Sequence, residues 1–462
     1  MHDEGPPMTR TSISHPWEEL KRLAELGDAS LLHQYFEGLS GGEAARALSR
    51  LSSELQTKVL TTLEPEDAAD VIEEIPEAQA VDLVEHLSAD DAAAILTAMP
   101  SDEQADLIAA MRDDDAEAIL SELSPQEASE VRTLADYASD VAGGLMVTEF
   151  LSYAETATVG DVVNALQSGA EEYAGYVVQY LYITSERGSL VGVLPLRDVV
   201  LARPSRAVAE LMVSEPLSVV DSTPLDDLSD IFDRHELLGV PVVDSSDRLV
   251  GVVKRHDVEE AFAERADSDY LKSQGIVGGE ELRSMPLWRR SRRRLSWLSI
   301  NVILNIAAAS VIALYHDTLT SVIALAVFLP IISDMSGCSG NQAVAVSIRE
   351  LTLGLVRPGE LVRVWTKEVA VGAINGLVLG VIVACAAWLW KGNAFLGLVV
   401  GSALALNTVF AVSIGGTVPL ILKRFRVDPA LASGPVLTTL TDMCGFFLVL
   451  SLATLALSRL AG

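Results

Sequence analysis

The sequence predicts a multidomain protein: an all-α superhelical N-domain, an α/β pair of duplicated units, and an α-helical membrane domain with five spans. Three observations predict it. They are a repeat of period twelve near the N-terminus, two similar strand-rich segments 59 residues apart, and five long apolar runs in the C-terminal part. The 462 residues carry 64 acidic and 33 basic side chains, a net charge of −31 with 50% hydrophobic residues. That average hides two different halves. Ahead of Pro286 stand 57 acidic and 19 basic residues, a net of −38; from there on 7 acidic and 14 basic residues give +7. An acidic, water-facing half precedes one suited to lipid.

Residues 40–135 stack into eight units of twelve, from SGGEAARALSRL to SPQEASEVRTLA. Positions 8, 9 and 12 are apolar almost throughout and alanine is common at position 5, which is one stripe of a helix. Ser or Pro usually opens a unit and acids fill positions 2 to 4. This is the composition of a cap and of a first turn whose free N–H groups favour negative charge. Each helix is then about nine residues long, too short to stand alone, so neighbours must stack into a solenoid. Most of the carboxylates are expected on its solvated outer face. The opening MHDEGPPMTR has no apolar signal region, so the acidic half is expected to remain in the cytoplasm.

Past Tyr137 the β-branched runs VVQYLYIT, SLVGVLPL, GVPVVD and RLVGVVK alternate with helical stretches such as DVVNALQ and PLDDLSDIFDRH. SLVGVLPLRDV (189–199) and RLVGVVKRHDV (248–258) align at an offset of 59 residues, which marks a duplicated α/β unit. A strand ending L-V-G-V, with an aspartate six residues after the glycine, resembles tandem cystathionine-β-synthase (CBS) domains. Such pairs commonly sense adenine nucleotides, so the resemblance implies ATP as a ligand to test. The Ser or Thr usual three residues after that glycine is replaced here by Pro195 and Lys254, and proline offers no hydroxyl to a ribose or phosphate. The expected domains are therefore 1–137 (acidic helical repeat), 138–262 (tandem CBS), 263–292 (a connecting, plug-like helix) and 293–462 (five membrane helices).

A helix needs about 20 apolar residues to cross the hydrocarbon core. Five runs qualify, at 295–315, 319–348, 365–390, 395–422 and 431–457; two are longer than one crossing needs, so tilt or kinks are expected. Positive residues precede the first span (Arg289, Arg290, Arg292, Arg293, Arg294), separate the second from the third (Arg357, Arg363) and separate the fourth from the fifth (Lys423, Arg424, Arg426). All three basic connections fall on one side, which puts the N-terminal domains in the cytoplasm and the C-terminus outside a cell membrane. The three cysteines, Cys338, Cys385 and Cys444, all lie in the membrane half, so the soluble part has no disulfide framework.

An ionised side chain at bilayer depth is costly and normally faces a cavity, a pore or a partner. Asp334 and Asp442 lie well inside the spans. Thr438, Thr439 and Thr441 precede Asp442, and Gly434 and Pro435 interrupt regular packing one to two turns earlier. Such an oxygen-rich site suits a hard cation like magnesium, which holds its own waters tightly. The alternative is a buried aspartate that caps a broken helix or bonds a neighbouring threonine. In ISDMSGCSGNQ (332–342), Gly337 and Gly340 permit close backbone approach while Asn341 and Gln342 offer amides. The run reads either as a wall of a wet path or as polar helix-packing glue.

FLPIISDMSGCSGNQAVAVSIRELTLG (328–354) and VDPALASGPVLTTLTDMCGFF (427–447) resemble the two signature regions of the MgtE family of magnesium transporters, and the domain order matches along nearly the whole chain. The resemblance implies a homodimeric, magnesium-selective channel in the lipid bilayer, with its pore on the dimer axis and Asp442 of both copies holding a hydrated ion. Gly337, Asn341, Gln342, Gly434 and Thr438 would line that pore. It also implies that intracellular magnesium, bound between acidic cytoplasmic domains, closes the pore, with Asp226, Glu236, Asp257, Glu260 and Asp269 as ligands. Electrostatics agrees, since carboxylate-rich surfaces repel until divalent ions bridge them. The departure is Gly337-Cys338-Ser339-Gly340-Asn341-Gln342, where the family usually reads Gly-Asn-x-Gly-Asn-Gln. A thiol suits softer metals, so transport of cobalt, zinc or manganese is an alternative, and Cys444 adds to it. A non-conducting, membrane-anchored sensor of metal or nucleotide is another. Asp334 lies outside the family motif. With no nucleophile–base pair, phosphate loop or closed metal cluster, the chain is not expected to be an enzyme, nor is a nucleic-acid partner expected.

Overall fold

The computed structural model describes residues 16–460, apart from 171, 172, 174, 175, 177, 274, 277–284, 286 and 426 and the side chains at 273, 430–433, 435 and 436. The opening decapeptide, the start of the VVQYLYIT run, much of the connector, Arg426 and the Pro435 side chain thus lie outside the described residues. The chain forms two compact units that divide after Arg265.

In the first unit, the repeat folds as its period dictates. Helices begin at Gly41, Ser53, Pro65, Glu77, Ala89, Ser101, Asp113 and Pro125, one every twelve residues, behind two earlier helices, Pro16–Leu26 and Ala29–Glu37. Positions 8, 9 and 12 supply the core: Val59, Leu60 and Leu63 in one unit and Ile95, Leu96 and Met99 in another are all buried. Burial of such a side chain stabilises by roughly 1.5–3 kcal/mol, which isolated helices this short cannot supply for themselves. Second neighbours stack on one another. Helix Pro65–Glu73 packs on Ala89–Ala98 and that on Asp113–Leu120, while Glu77–Val84, Ser101–Ala110 and Pro125–Ala135 form a second row. The capping reading holds at two serines, where Ser88 Oγ accepts from Asp91 N at 3.2 Å and Ser124 Oγ from Glu127 N at 3.3 Å, but not at Ser52, which makes no side-chain cap bond. At position 5, where Gln56 and Gln104 replace alanine, the amides donate to the carbonyls of Leu48 (2.8 Å) and Met99 (2.7 Å).

The duplicated units form two four-stranded sheets with exchanged edges. Strands β2 (Ser152–Ala154), β3 (Tyr180–Thr184) and β4 (Leu190–Pro195) belong to the first unit, and β6 (Val219–Val220), β7 (Gly239–Val243) and β8 (Leu249–Lys254) to the second. The strand ahead of each set pairs with the other set: β1 (Met146–Val147) runs antiparallel to β8, and β5 (Val213–Ser214) antiparallel to β4. This exchange explains the repeated glycine. A Cβ on Gly251 would stand 2.6 Å from Met146 Sδ, and one on Gly192 would stand 2.3 Å from Met212 Sδ. Helix Arg255–Ser273 follows β8 and runs unbroken through the expected boundary at 262.

The second unit holds five helices long and apolar enough to cross a membrane. The first, Leu287–Leu314, starts earlier than the apolar run because the arginine cluster is carried on a helical extension. The expected span 319–348 is broken. A short helix, His316–Ser321, and a 3-10 turn, Ile323–Val327, precede helix Leu329–Thr352, where Pro330 sits in the first turn and needs no N–H partner. The third helix, Leu361–Lys391, stops at Gly392, whose φ of 68° is the left-handed conformation glycine adopts without penalty. Asn393 Oδ1 then caps the fourth helix, Ala394–Arg424, by accepting from Phe395 N at 2.9 Å. Glycines set the contact between these two helices: a Cβ on Gly376 would lie 2.5 Å from the Ala405 carbonyl oxygen, and one on Gly380 would lie 2.6 Å from that of Gly401. The fifth helix is Pro429–Leu455.

Candidate functional site

Asp442 stands midway along the fifth helix and is 7% exposed in the single chain. Its partner is Ser333 on the second-span helix, whose Oγ donates to Asp442 Oδ1. The sequence leaves a neighbouring threonine open as one partner for a buried aspartate. Instead, Thr438 Oγ1 donates to the Gly434 carbonyl (2.9 Å) and Thr441 Oγ1 to that of Thr438 (2.9 Å), both along their own helix. Asn407 of the fourth helix completes the setting. It is fully buried, its Nδ2 donates to the Thr441 carbonyl at 3.1 Å, and its Oδ1 has no partner. Gly445 leaves the room it needs, since a Cβ there would come within 2.6 Å of Asn407 Nδ2. Neither Ser333 nor Asn407 was singled out from the sequence. A serine beside Asp334 and an asparagine in an apolar run were visible signals, but their convergence on Asp442 is tertiary.

The signature stretch divides between two environments. Gly340 is packed, its Cβ position 3.1 Å from the Ala411 carbonyl oxygen, and a Cβ on Gly415 would come still closer to the Gly340 carbonyl oxygen, at 2.3 Å. That part is helix-packing glue. Gly337 is buried, yet nothing lies within 4 Å of where its side chain would stand. Asp334, Cys338, Asn341 and Gln342, spaced 4, 7 and 8 residues from the first, share one exposed stripe of the helix, continued to Arg349 at its end. Thr438 on the fifth helix is exposed as well, and Gly434 half-buried. A polar stripe on a membrane helix cannot be left against hydrocarbon; it needs water or a partner.

In the first unit, acids from the helical repeat and the CBS pair crowd together. Ser101 anchors the two parts: its N–H and Oγ donate to Glu149 (3.1 and 2.8 Å), and Thr148 N donates to Ser101 Oγ at 2.8 Å. This docking brings Asp102, Glu103, Asp106 and Glu73 towards Asp257, Glu260 and Lys254. Desolvation by the surrounding protein, reinforced by like charges, pushes Glu73 and Asp106 up to about 7 and Glu103 to about 8; desolvation also raises Asp257 to about 6 and Asp102 above the usual carboxylate range. Glu73, Glu103 and Asp106 nevertheless keep solvent-exposed side chains, so these carboxylates stand in water walled by protein. Lys254 Nζ, 3.8 Å from Asp257 Oδ2, is the cation among them.

The five sensor residues expected from sequence all lie among the described residues. Asp257 and Glu260 sit on one helix in this acidic place; Asp226 bonds Arg265 (3.0 Å), Glu236 is exposed, and Asp269, in the second unit, lies 3.9 Å from Lys272. Among the described residues no three His, Cys, Asp or Glu side chains converge tightly enough to hold a bare metal ion. The acids from the repeat were read as solvated, since nothing in a helical period tells which helix end will dock.

Comparison with known proteins bears on the whole assembly. The MgtE divalent cation transporter family matches residues 329–452, the MgtE intracellular N domain residues 39–140 and the CBS domain residues 208–264. A magnesium transporter MgtE of Bacillus subtilis is 34% identical over 336 residues, 72% of this chain and 74% of that protein. The chain belongs to the MgtE family. The MgtE of Thermus thermophilus is 33% identical over similar shares. Two solved structures are also similar: the soluble part of a magnesium transporter (25% identity, TM-score 0.49, 54% of this chain and 98% of that one) and the cytosolic domain of the Mg2+ channel MgtE in complex with ATP (30% identity, TM-score 0.48, 53% and 99%). As an MgtE-family chain it is a multi-pass membrane protein with a CBS domain. For ATP, the hydroxyl contact is missing from both CBS units: Pro195 has none, and Lys254 is turned to Asp257.

Proposed function

We propose that the chain conducts magnesium into the cytoplasm, as a homodimer in the cell membrane, along a wet path lined by the second and fifth spans. The observation that carries this reading is the exposed polar stripe of the second span beside Asp442. An uncovered row of carboxylate and amides at bilayer depth has a purpose only against water or a second copy, and Ser333 links that helix to the one buried carboxylate of the fifth. Magnesium keeps its waters, so the ion passes hydrated and is recognised through them. The N-terminal half is cytoplasmic and the C-terminus outside. The acids around Asp257 and Glu103 act as the sensor: without divalent ions they repel, and intracellular magnesium draws them together and inhibits the pore. ATP has no assigned role.

Magnesium uptake by the protein reconstituted in vesicles tests the pore. Asp442→Ala is expected to lower flux at least about tenfold, as one negative charge per copy vanishes from beside the path; undiminished flux refutes the assignment. Exposure of Cys338 on the same stripe favours a second reading, in which a softer ion such as cobalt, zinc or manganese is carried. Cys338→Asn then abolishes that preference in competition flux.

A further inference from the structure

Asp334, deep in the second span, belongs to no motif, yet its position is distinctive. Asp334 lies eleven residues into the membrane stretch Ile323–Thr352, is exposed, and has no hydrogen-bond or ion-pair partner among the described residues. Its neighbour Ser333 bonds Asp442, which fixes the two carboxylates at one depth. They differ in what they face: Asp442 turns into the chain, while Asp334 shares the exposed stripe of Asn341 and Gln342. An unpaired carboxylate against hydrocarbon would take up a proton or drag water inward, whereas one beside a hydrated cation is stabilised as it stands.

We propose that Asp334 is a second acidic residue of the ion path, which holds the outer hydration shell of a passing divalent cation at the depth of Asp442. The proposal rests on the channel reading above and adds a specificity determinant to it. Asp334 adds one negative charge per copy to the path, so it concentrates divalent over monovalent cations before the ion meets Asp442. Its short side chain and the intervening water make this an outer-sphere contact, governed by charge more than by shape.

The test is magnesium flux of the full chain in vesicles as a function of magnesium concentration. Asp334→Asn keeps shape and hydrogen bonding but removes charge. It is expected to raise the half-saturating magnesium concentration about fivefold, the effect of one charge acting through several ångströms of a wet path, while Asp334→Glu stays near the parent. A residue that only packs against a second copy would alter melting temperature and leave half-saturation unchanged, which overturns the proposal. A second measurement does not depend on flux. In a chain whose three native cysteines are serine, Asp334→Cys is expected to react with a positively charged, water-soluble thiosulfonate, more slowly when magnesium is present; an unreactive thiol overturns the proposal. If Asp442→Ala abolishes flux while Asp334→Asn leaves half-saturation intact, the channel reading stands and this inference falls. If the parent passes no magnesium, both fall.

Discussion

Ser333 controls which way Asp442 faces. Its hydroxyl is the side-chain partner of that carboxylate among the described residues, and the bond holds the charge within its own chain. Hydrogen bonds to charged groups contribute roughly 1.5–3 kcal/mol, so ion binding and the internal bond compete on comparable terms. Ser333→Ala should therefore lower the melting temperature of the purified protein and, at the same time, lower the half-saturating magnesium concentration for flux by up to about tenfold. A variant that melts earlier but keeps the parent's half-saturation would show that Asp442 does not turn. The importance of Asp442 could be read from its polarity in an apolar run. Its partner could not, because Ser333 and Asp442 are 109 residues apart and meet only when the second and fifth spans pack.

Helices and strands were legible to the degree that their period was local. The twelve-residue repeat fixed eight helix starts because cap, first-turn acids and apolar stripe all recur in phase. The second span was read as one long run, since hydropathy registers apolar content and not the 3-10 turn that Pro330 follows. Glycines show the same limit: sequence says that the backbone can come close, and only the fold says against what. At Gly376 the obstacle is the Ala405 backbone carbonyl, 2.5 Å from the Cβ position, while at Gly251 it is the Met146 side chain, with Sδ 2.6 Å, Cγ 2.7 Å and Cβ 2.9 Å away, of which only the outer atoms can move. Backbone held in a helix cannot yield, and a thioether can swing. Gly376→Ala is expected to cost about 1–3 kcal/mol and to separate the third and fourth spans, whereas Gly251→Ala costs less. Thermal melting of both variants in one detergent checks the order, and a reversed order refutes the packing argument.

At the scale of the molecule the charge asymmetry already announced an acidic, water-facing half and a membrane half, but not where the acids would be forced together. That site appears only when the helix Ser101–Ala110 docks, through Ser101 and Glu149, beside the helix that begins at Arg255. Desolvation, reinforced by like charges, raises Asp257 to about 6, Glu73 and Asp106 to about 7 and Glu103 to about 8. These are raised carboxyls, so the docked state keeps protons that the separated chain has already released near pH 4. Docking is therefore fully stabilised below that range and loses stability as pH rises through 6 to 8, the opposite sense from an ion-paired carboxylate. In the proposed sensor, a divalent cation would supply the charge the protons no longer bring. With a chelator present, the full-length protein should be cleaved by protease faster at pH 8 than at pH 6 within residues 16–265, and millimolar magnesium at pH 8 should restore the slower rate. Cleavage equal at both pH values, or magnesium that protects equally well at pH 6, would mean that proton and cation do not share these carboxylates, and the link between acidic crowding and gating would be lost.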